Sequence, residues 1–380
     1  MIVLIIPSWY VSSYNELSGV FFKEQAEALA KNESVNKVIV LAINHIRIKD
    51  LIKKRHFDFG YDYKIINNVH THTLNLPFIP KITNLLRFFL GKKILKKIVL
   101  NEKRIDIAHL HSYFFGDFVM WLKNEFKIPY VVTEHTTDFS RDIMSTDQLH
   151  YAKKIFQKSN LNIAVSNEFK GLLENKLKET FLYIPNIVSS DFLYNEKRKL
   201  NVFQFINIGF LEKKKNQNML IRAFNNAFLD TKDVSLLIVG DGNEYKNLKK
   251  LISDLRLKNR VKLFGRASRT EIRELLIKSN AFVLASKNET FGVVVVEAML
   301  SGLPVVSTKC GGPESIINDV SLGVLTDVNE DSLSDGMKEL YNNYTRYRSE
   351  KISSYANDNF SEKVVINKLV KIYKEHKVLK

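Results

Sequence analysis

Two consecutive series of short β-branched runs, each followed by a segment of helical periodicity, leave this chain few folds to choose from. In the first half the strand-like runs are 2–7 (IVLIIP), 37–43, 105–110, 130–134, 161–165 and 181–184. Between them lie amphipathic stretches such as 20–31, where Phe22, Ala26 and Leu29 share one helical face. Near-continuous apolar strands alternating with helices indicate a parallel sheet covered on both sides. After Pro185-Asn186 and a polar, irregular stretch at 190–200 the pattern restarts, with runs at 203–208, 235–239, 261–264, 281–285, 304–307 and 323–327. Leu220, Ala223, Phe224, Ala227 and Phe228 recur at helical spacing between the first two of these. A length of 380 residues suits two cores better than one. The expectation is an α/β chain of two doubly wound domains facing each other across a cleft, at 1–186 and 187–360, with a helix over 361–380 packing back toward the first.

Composition narrows the function classes. Hydrophobic residues are 45% and charged residues 26%, the balance of an ordinary globular protein. Cys310 is the only cysteine, so no internal disulfide forms, which fits a reducing cytoplasm. The opening MIVLIIPSW is short, lacks a basic leader and is interrupted by Pro7, so it reads as a buried strand and not a signal peptide. No apolar run is long enough to span a bilayer. The net charge is +16, and residues 1–190 and 191–380 carry +8 each, so charge alone locates no binding face. No RRM, helix-turn-helix or zinc-finger signature accompanies it, and no nucleic-acid partner is expected. The first βα loop, 8–20, lacks G-x-G-x-x-G, which disfavours a nicotinamide enzyme.

The chemistry concentrates in 286–314, SKNETFGVVVVEAMLSGLPVVSTKCGGPE. A strand ends, a loop carries Glu289, Phe291-Gly292 open a helix, and Gly302 with Pro304 end it. A helix start exposes unpaired amide N–H groups and partial positive charge, which suits a diphosphate, and Gly292 lets one approach. Glu297 lies roughly 7–8 Å further along the axis. One carboxylate on each side of a bound diphosphate matches a sugar nucleotide, with sugar hydroxyls at one end and ribose hydroxyls at the other. Two glutamates eight residues apart are also common on solvated helices; the Phe-Gly start and the following Gly311-Gly312 turn strengthen the signal.

This segment resembles the E-x7-E signature of family 4 glycosyltransferases of the GT-B fold, in which both domains are Rossmann-like. The resemblance extends along the chain, through PSWY and SGVFFKEQAEAL, AHLHSYFFGD, VVTEH, AVSNEF and YIPNIV to NIGFLEKKKNQNMLIRAF, IVGDGNE and VKLFGR. It is of the bacterial polysaccharide-biosynthesis type. The resemblance implies that Glu297 holds the ribose hydroxyls and that Glu289 contacts the transferred sugar. It implies that the backbone of Phe291, Gly292 and Val293 takes the diphosphate, that Gly19 and Gly240 approach the ligand, and that Leu263 and Phe264 line the base pocket. It also implies that His111 approaches the donor sugar, with Glu134-His135 on the acceptor side. His109, two residues earlier, is expected to pack in the sheet. One position departs from the family: Phe210 stands where many members carry an arginine. The positive charge for the leaving diphosphate then falls to Lys215, with Lys214 as substitute for the missing arginine.

The resemblance implies a retaining, hexosyltransferase-like enzyme moving a sugar from a UDP- or GDP-linked donor to a saccharide or lipid-linked saccharide acceptor, in cell-surface polysaccharide or glycolipid synthesis. No cofactor and no metal are expected, since no Asp-x-Asp motif follows a strand. A sugar-nucleotide epimerase and a non-catalytic sugar-nucleotide binder are the alternatives on the same scaffold. Residues 78–104 mix Leu, Ile and Phe with eight Lys/Arg and the single acid Glu102. That segment suits peripheral contact with an anionic membrane or a sheet-covering helix with a basic outer face, and Gly91 is expected to break its helix. The expected location is the cytoplasm, with the inner face of the plasma membrane as a variant of it.

Overall fold

The computed structural model describes residues 1–12, 18–47, 59–79, 82–194 and 202–377. The middle of the loop 8–20 and most of the stretch 190–200 therefore lie outside the described residues. Contacts divide the chain into two compact units. Unit 1 comprises Met1–Val165, Lys170–Ile187 and Glu362–Lys380; unit 2 comprises Ser166–Phe169 and Val188–Ser361.

Unit 1 holds strands β1 (Ile2–Pro7), β2 (Lys37–Ile46), β3 (Gly60–Ile66), β4 (Val69–Pro77), β5 (Ile107–His111), β6 (Tyr130–Glu134), β7 (Leu161–Ala164) and β8 (Leu182–Tyr183). They form one sheet in the order β3-β4-β2-β1-β5-β6-β7-β8. Its helices are α1 (Val20–Ala30), α2 (Ile82–Glu102), α3 (Gly116–Phe126), α4 (Thr146–Lys158) and the last helix of the chain, Glu362–His376; the helix Asn167–Leu177 starts among residues of unit 2. Phe22, Ala26 and Leu29 of α1 share a core with Val365, Ile366, Leu369 and Tyr373 of the last helix and with Val3, Ile5, Val38 and Val40 of the sheet.

Three features differ from the sequence expectation. The β3–β4 hairpin is antiparallel and had no counterpart in the apolar pattern. β3 (GYDYKII) is exposed throughout and β4 (VHTHTLNLP) only half-buried, so neither presents an apolar run. The legible signal is Asn67-Asn68, both at positive φ (50° and 63°), as a two-residue hairpin turn with twist matching the strands requires. Secondly, β5 starts at Ile107; just before it the Asp106 carboxylate accepts the Ile2 N–H at 2.7 Å and the Asp106 N–H donates to the Ile2 carbonyl at 3.0 Å. Thirdly, α2 runs unbroken through Gly91. That glycine is buried where a Cβ would stand 2.5 Å from Phe118 Cζ and 3.2 Å from Ile43 Cδ1. It serves close packing onto α3 and β2, which outweighs its low helix propensity of roughly 1 kcal/mol relative to Ala.

Unit 2 holds β9 (Phe203–Ile208), β10 (Val234–Val239), β11 (Val261–Gly265), β12 (Ala281–Leu284), β13 (Val305–Thr308) and β14 (Gly323–Thr326). The sheet is parallel throughout, in the order β11-β10-β9-β12-β13-β14. In chain order the helices of the whole protein continue as α5 (Asn167–Leu177), α6 (Gln217–Ala227), α7 (Tyr245–Asp254), α8 (Arg269–Ile277), α9 (Val293–Leu300), α10 (Glu330–Asn342), α11 (Ser349–Phe360) and α12 (Glu362–His376). The core gathers Phe205, Leu220, Phe224, Phe228, Leu236, Val283, Leu333 and Met337. No helix among the described residues is long and apolar enough to cross a membrane.

The fit at Gly91 is testable. Gly91→Ala gains helix propensity but crowds Phe118, and overpacking typically costs about 1–3 kcal/mol. The variant is expected to lose about 1 kcal/mol net in urea melts. A variant as stable as the parent contradicts the packing role.

Candidate functional site

In unit 2 the chain leaves β9 toward β10 and β11 on one side, and later lays down β12, β13 and β14 on the other. The loops after β9 and β12 therefore diverge at adjacent strand ends, and such a reversal of strand order opens a crevice at the carboxyl edge. The loop after β9 ends in a short 3-10 turn, Lys213–Lys215. The loop after β12 carries Glu289. Lys215 Nζ donates to Glu289 Oε1 at 2.5 Å, and Ser286 Oγ donates to the same oxygen at 2.7 Å. The two charged side chains are 19% and 12% exposed, so each is the main neutralising partner of the other in a water-poor place. The Glu289 backbone is pinned as well, its N–H donating to the Cys310 carbonyl at 2.8 Å.

Directly after Glu289 the chain turns into α9. Gly292 occupies the N-cap at φ +100°, and no side chain caps the helix. A Cβ at Gly292 would meet nothing closer than 3.5 Å, so the glycine is there for its backbone conformation and an open helix mouth. Phe291 is buried against Phe360, ring centroids 5.8 Å apart, which fixes the entry into the helix, while Val293 is half-buried. Glu297 lies further along α9 and is almost wholly buried. Its partner is the Arg269 guanidinium at the start of α8, which also lies over the Phe192 ring at 4.8 Å. Burial pushes the Glu297 carboxyl above the usual range, and Arg269 pulls it back.

The other residues singled out in the second half fall into place around this core. Gly240 sits at φ +145°, where a Cβ would lie 1.9 Å from the Gly209 carbonyl oxygen. It is required for the close approach of the loops after β9 and β10. Gly311 and Gly312 act alike: their Cβ positions lie 2.7 Å from Glu289 O and 2.2 Å from Phe291 O. Lys214 does not join the Lys215–Glu289 pair; it is half-buried, faces Glu212 at 3.5 Å, and uses its carbonyl to accept from Lys287 N at 2.9 Å. Phe210 is half exposed. Leu263 and Phe264 lie on β11 at the sheet edge, with Phe264 exposed and Lys262 Nζ 6.0 Å from its ring.

In unit 1 the strand order reverses between β1 and β5. Their ends are tied by Ser8 N–H donating to the His111 carbonyl at 3.0 Å and Ser8 Oγ to the Ser112 carbonyl at 2.9 Å. Gly19 is the N-cap of α1 at φ +71°, and a Cβ there would stand 2.7 Å from the Trp9 carbonyl oxygen. His111 is wholly buried under Phe22, with ring centroids 4.7 Å apart, and shares a hydrogen bond between Nδ1 and His135 Nε2 at 3.0 Å. No described residue partners His111 Nε2. His109 is held by the Tyr373 hydroxyl at 2.5 Å and Thr133 Oγ1 at 2.7 Å. Glu134 is also wholly buried and is consumed by backbone: it accepts N–H groups of Tyr113 (3.1 Å), His135 (2.8 Å) and Thr136 (2.8 Å). It braces the loops after β5 and β6 and presents no free carboxylate.

Three participants escaped sequence reasoning. Ser286 stands three residues before Glu289, a spacing that by itself signals nothing. Arg269 belongs to the capping box Ser268–Glu271, legible as a helix start but not as a reach to Glu297. The Glu314 carboxylate accepts the amides of Cys310 (3.2 Å) and Gly311 (3.0 Å), a side-chain closure of the Gly-Gly turn.

Fold and family matches together define a glycosyltransferase of the GT-B class. The chain covers 99% of itself and of sucrose-phosphate synthase from Thermosynechococcus elongatus at a TM-score of 0.76 and 16% identity. It covers 98% of itself and 99% of HepE from Anabaena, solved with UDP, at 0.74 and 19%. The Glycosyltransferase Family 4 model matches residues 22–192 and the Glycosyl transferases group 1 model residues 193–358. An uncharacterized glycosyltransferase of Methanocaldococcus jannaschii is 30% identical over 286 residues, 75% of this chain and 78% of the relative. N-acetyl-alpha-D-glucosaminyl L-malate synthase of Bacillus anthracis is 27% identical over 294 residues, 67% of this chain and 74% of the relative. The protein belongs to this family of glycosyltransferases.

The buried histidines set a pH dependence. Burial holds His109 down to about 3, and His111 and His135 well below their usual 6.5. As pH falls below about 6.5 the unfolded chain binds protons that these folded rings refuse, and stability drops. Burial raises Glu134 from 4.5 to about 7, so that group acts oppositely, favouring the fold as pH falls from 7 toward 4.5. Asp117 is raised likewise, while His45, His70 and His72 are lowered along with the three buried rings, so lowered histidines outnumber raised carboxyls in unit 1. The urea midpoint of unit 1 is therefore expected to fall between pH 7 and pH about 5; an unchanged or higher midpoint at the lower pH refutes neutral buried rings.

Proposed function

We propose that the protein transfers a sugar from a nucleotide diphosphate-sugar to an acceptor hydroxyl with retention at the anomeric carbon and without a metal ion. The observation that carries this is the Lys215–Glu289 pair at the strand-order reversal of unit 2, beside the uncapped mouth of α9, with Glu297 further along the same helix. A diphosphate at that mouth meets amide N–H groups and the partial positive helix end. It also draws Lys215 away from Glu289. Glu289 is then free to accept from a hydroxyl of the sugar, and Glu297 exchanges Arg269 for the ribose hydroxyls. The bond from the anomeric carbon to the phosphate oxygen breaks. The acceptor hydroxyl attacks on the face that the phosphate leaves, and the departing phosphate oxygen takes the acceptor proton. Lys215 offsets the charge that develops on it.

HepE from Anabaena has been solved with UDP-glucose, which favours a uridine donor for this chain over a guanosine one. In unit 1 this reading assigns His111 Nε2 a hydrogen bond to substrate; that nitrogen is buried and unpartnered by described residues. Saccharide or lipid-linked saccharide acceptors, in cell-surface polysaccharide or glycolipid synthesis on the cytoplasmic side, complete the proposal.

The test begins with melting shifts over a panel of UDP- and GDP-sugars, since a bound ligand raises the melting point by mass action. Nucleoside diphosphate release is then followed with the stabilising donor and candidate acceptors. Glu289→Ala is expected to slow release by at least about a hundredfold. Lys215→Met is expected to weaken the melting shift given by free UDP or GDP. Normal release in Glu289→Ala, or no shift with any donor, ends the proposal. Donor consumed without acceptor points instead to an epimerase.

A further inference from the structure

Helix α2 turns an uncovered face to solvent that the glycosyl-transfer reading does not use. Ile82, Leu85, Leu86 and Phe89 are 54%, 73%, 39% and 69% exposed, and Leu100 at the far end is 64% exposed. Their spacing of three and four residues puts them on one stripe. The same stripe continues through Lys93, Lys96 and Lys97, all exposed. The inward face is fixed independently: Gly91, Leu95 and Ile98 are buried, and Gly91 abuts Phe118 and Ile43. Arg87 belongs to the inward side, donating to Asp117 at 3.1 Å and to the Phe114 carbonyl at 3.3 Å. The single acid of the helix, Glu102, is paired with Lys37 at 2.6 Å. Just before the helix, Phe78 and Ile79 are 44% exposed each. A helix normally buries its apolar stripe and solvates the opposite face; α2 keeps a second apolar stripe in water and adds lysines in line with it.

We propose that the outward face of α2 docks on an anionic phospholipid surface, with Leu85, Leu86 and Phe89 among the acyl chains and Lys93, Lys96 and Lys97 on the headgroups. Large apolar side chains next to exposed lysines on one helix face are what an interfacial helix needs. A second copy of the chain is the poorer occupant. Parallel pairing of two such stripes sets lysine against lysine, and antiparallel pairing sets lysines over Leu85 and Phe89. The helix lies along the surface and does not enter it end-on, as no described helix is apolar enough to span a membrane.

The test uses the full chain and lipid vesicles, and needs neither donor nor acceptor, so it succeeds or fails independently of the glycosyl-transfer reading. Flotation is measured with vesicles of phosphatidylglycerol and phosphatidylcholine in equal parts and with phosphatidylcholine alone. The parent is expected to float with the anionic vesicles, less so at high salt, and not with the zwitterionic ones. Lys93→Gln with Lys96→Gln and Lys97→Gln is expected to weaken binding roughly a hundredfold, about fivefold per lysine. Leu85→Ser with Phe89→Ser is expected to abolish flotation while leaving the melting point unchanged, since both side chains are mostly solvated. Absence of flotation with anionic vesicles, or equal flotation of parent and both variants, overturns the proposal. So does a parent that is dimeric by light scattering and becomes monomeric in the serine variant.

Discussion

The contact between Lys215 and Glu289 depends on the strand order of unit 2. β9 is laid down first and β12 is placed beside it only after β10 and β11 have gone the other way. Two loops 74 residues apart in sequence thereby end at the same edge, and one brings a lysine while the other brings a glutamate. Everything else nearby holds that meeting in register. Ser286 orients the carboxylate, the Cys310 carbonyl pins the Glu289 amide, and Gly311 and Gly312 let the loop after β13 lie against the loop that carries it. Each charge partly replaces for the other the water that burial removes.

Unit 1 uses its own reversal of strand order differently. Around β1 and β5 it gathers rings and backbone bonds: His109, His111 and His135 packed with Phe22, and Glu134 given over to three amides. This is a buried cluster whose rings burial holds below their usual pKa. Unit 2 by contrast keeps its charges and an uncapped helix end at the corresponding place. The two sheets share a winding rule and differ in what they put at the point where it reverses.

The winding itself was legible, because buried parallel strands are apolar runs and their helices keep a strong period. The runs from 2–7 to 323–327 correspond to described strands within a few residues. What the pattern could not show was any strand built from polar residues: β3 lies at the edge and is exposed throughout, and β4 beside it opens on alternating His and Thr that are only half-buried. Gly91 misled for a related reason. Glycine is read as a helix breaker when nothing is known of its neighbours, and here Phe118 supplies the reason for it. At the candidate site, local spacing carried Glu289, Gly292 and Glu297, which belong to one loop and one helix. It could not carry Arg269, whose reach to Glu297 crosses 28 positions of sequence, nor tell that Lys214 faces Glu212 while Lys215 faces Glu289.

The close approach of Gly240 to Gly209 also has a practical side. The loop 209–215 is the natural target for anyone diversifying this scaffold toward new ligands, since Phe210 is open to solvent and Lys215 stands at the crevice. Its backbone, however, is clasped from behind: a methyl group at Gly240 would overlap the Gly209 carbonyl, and one at Gly242 would stand 2.4 Å from that of Leu211. Every codon change that replaces either glycine adds such a carbon. Libraries can therefore vary side chains at 210 and 212–214 freely, provided those two anchors behind the loop are left as they are.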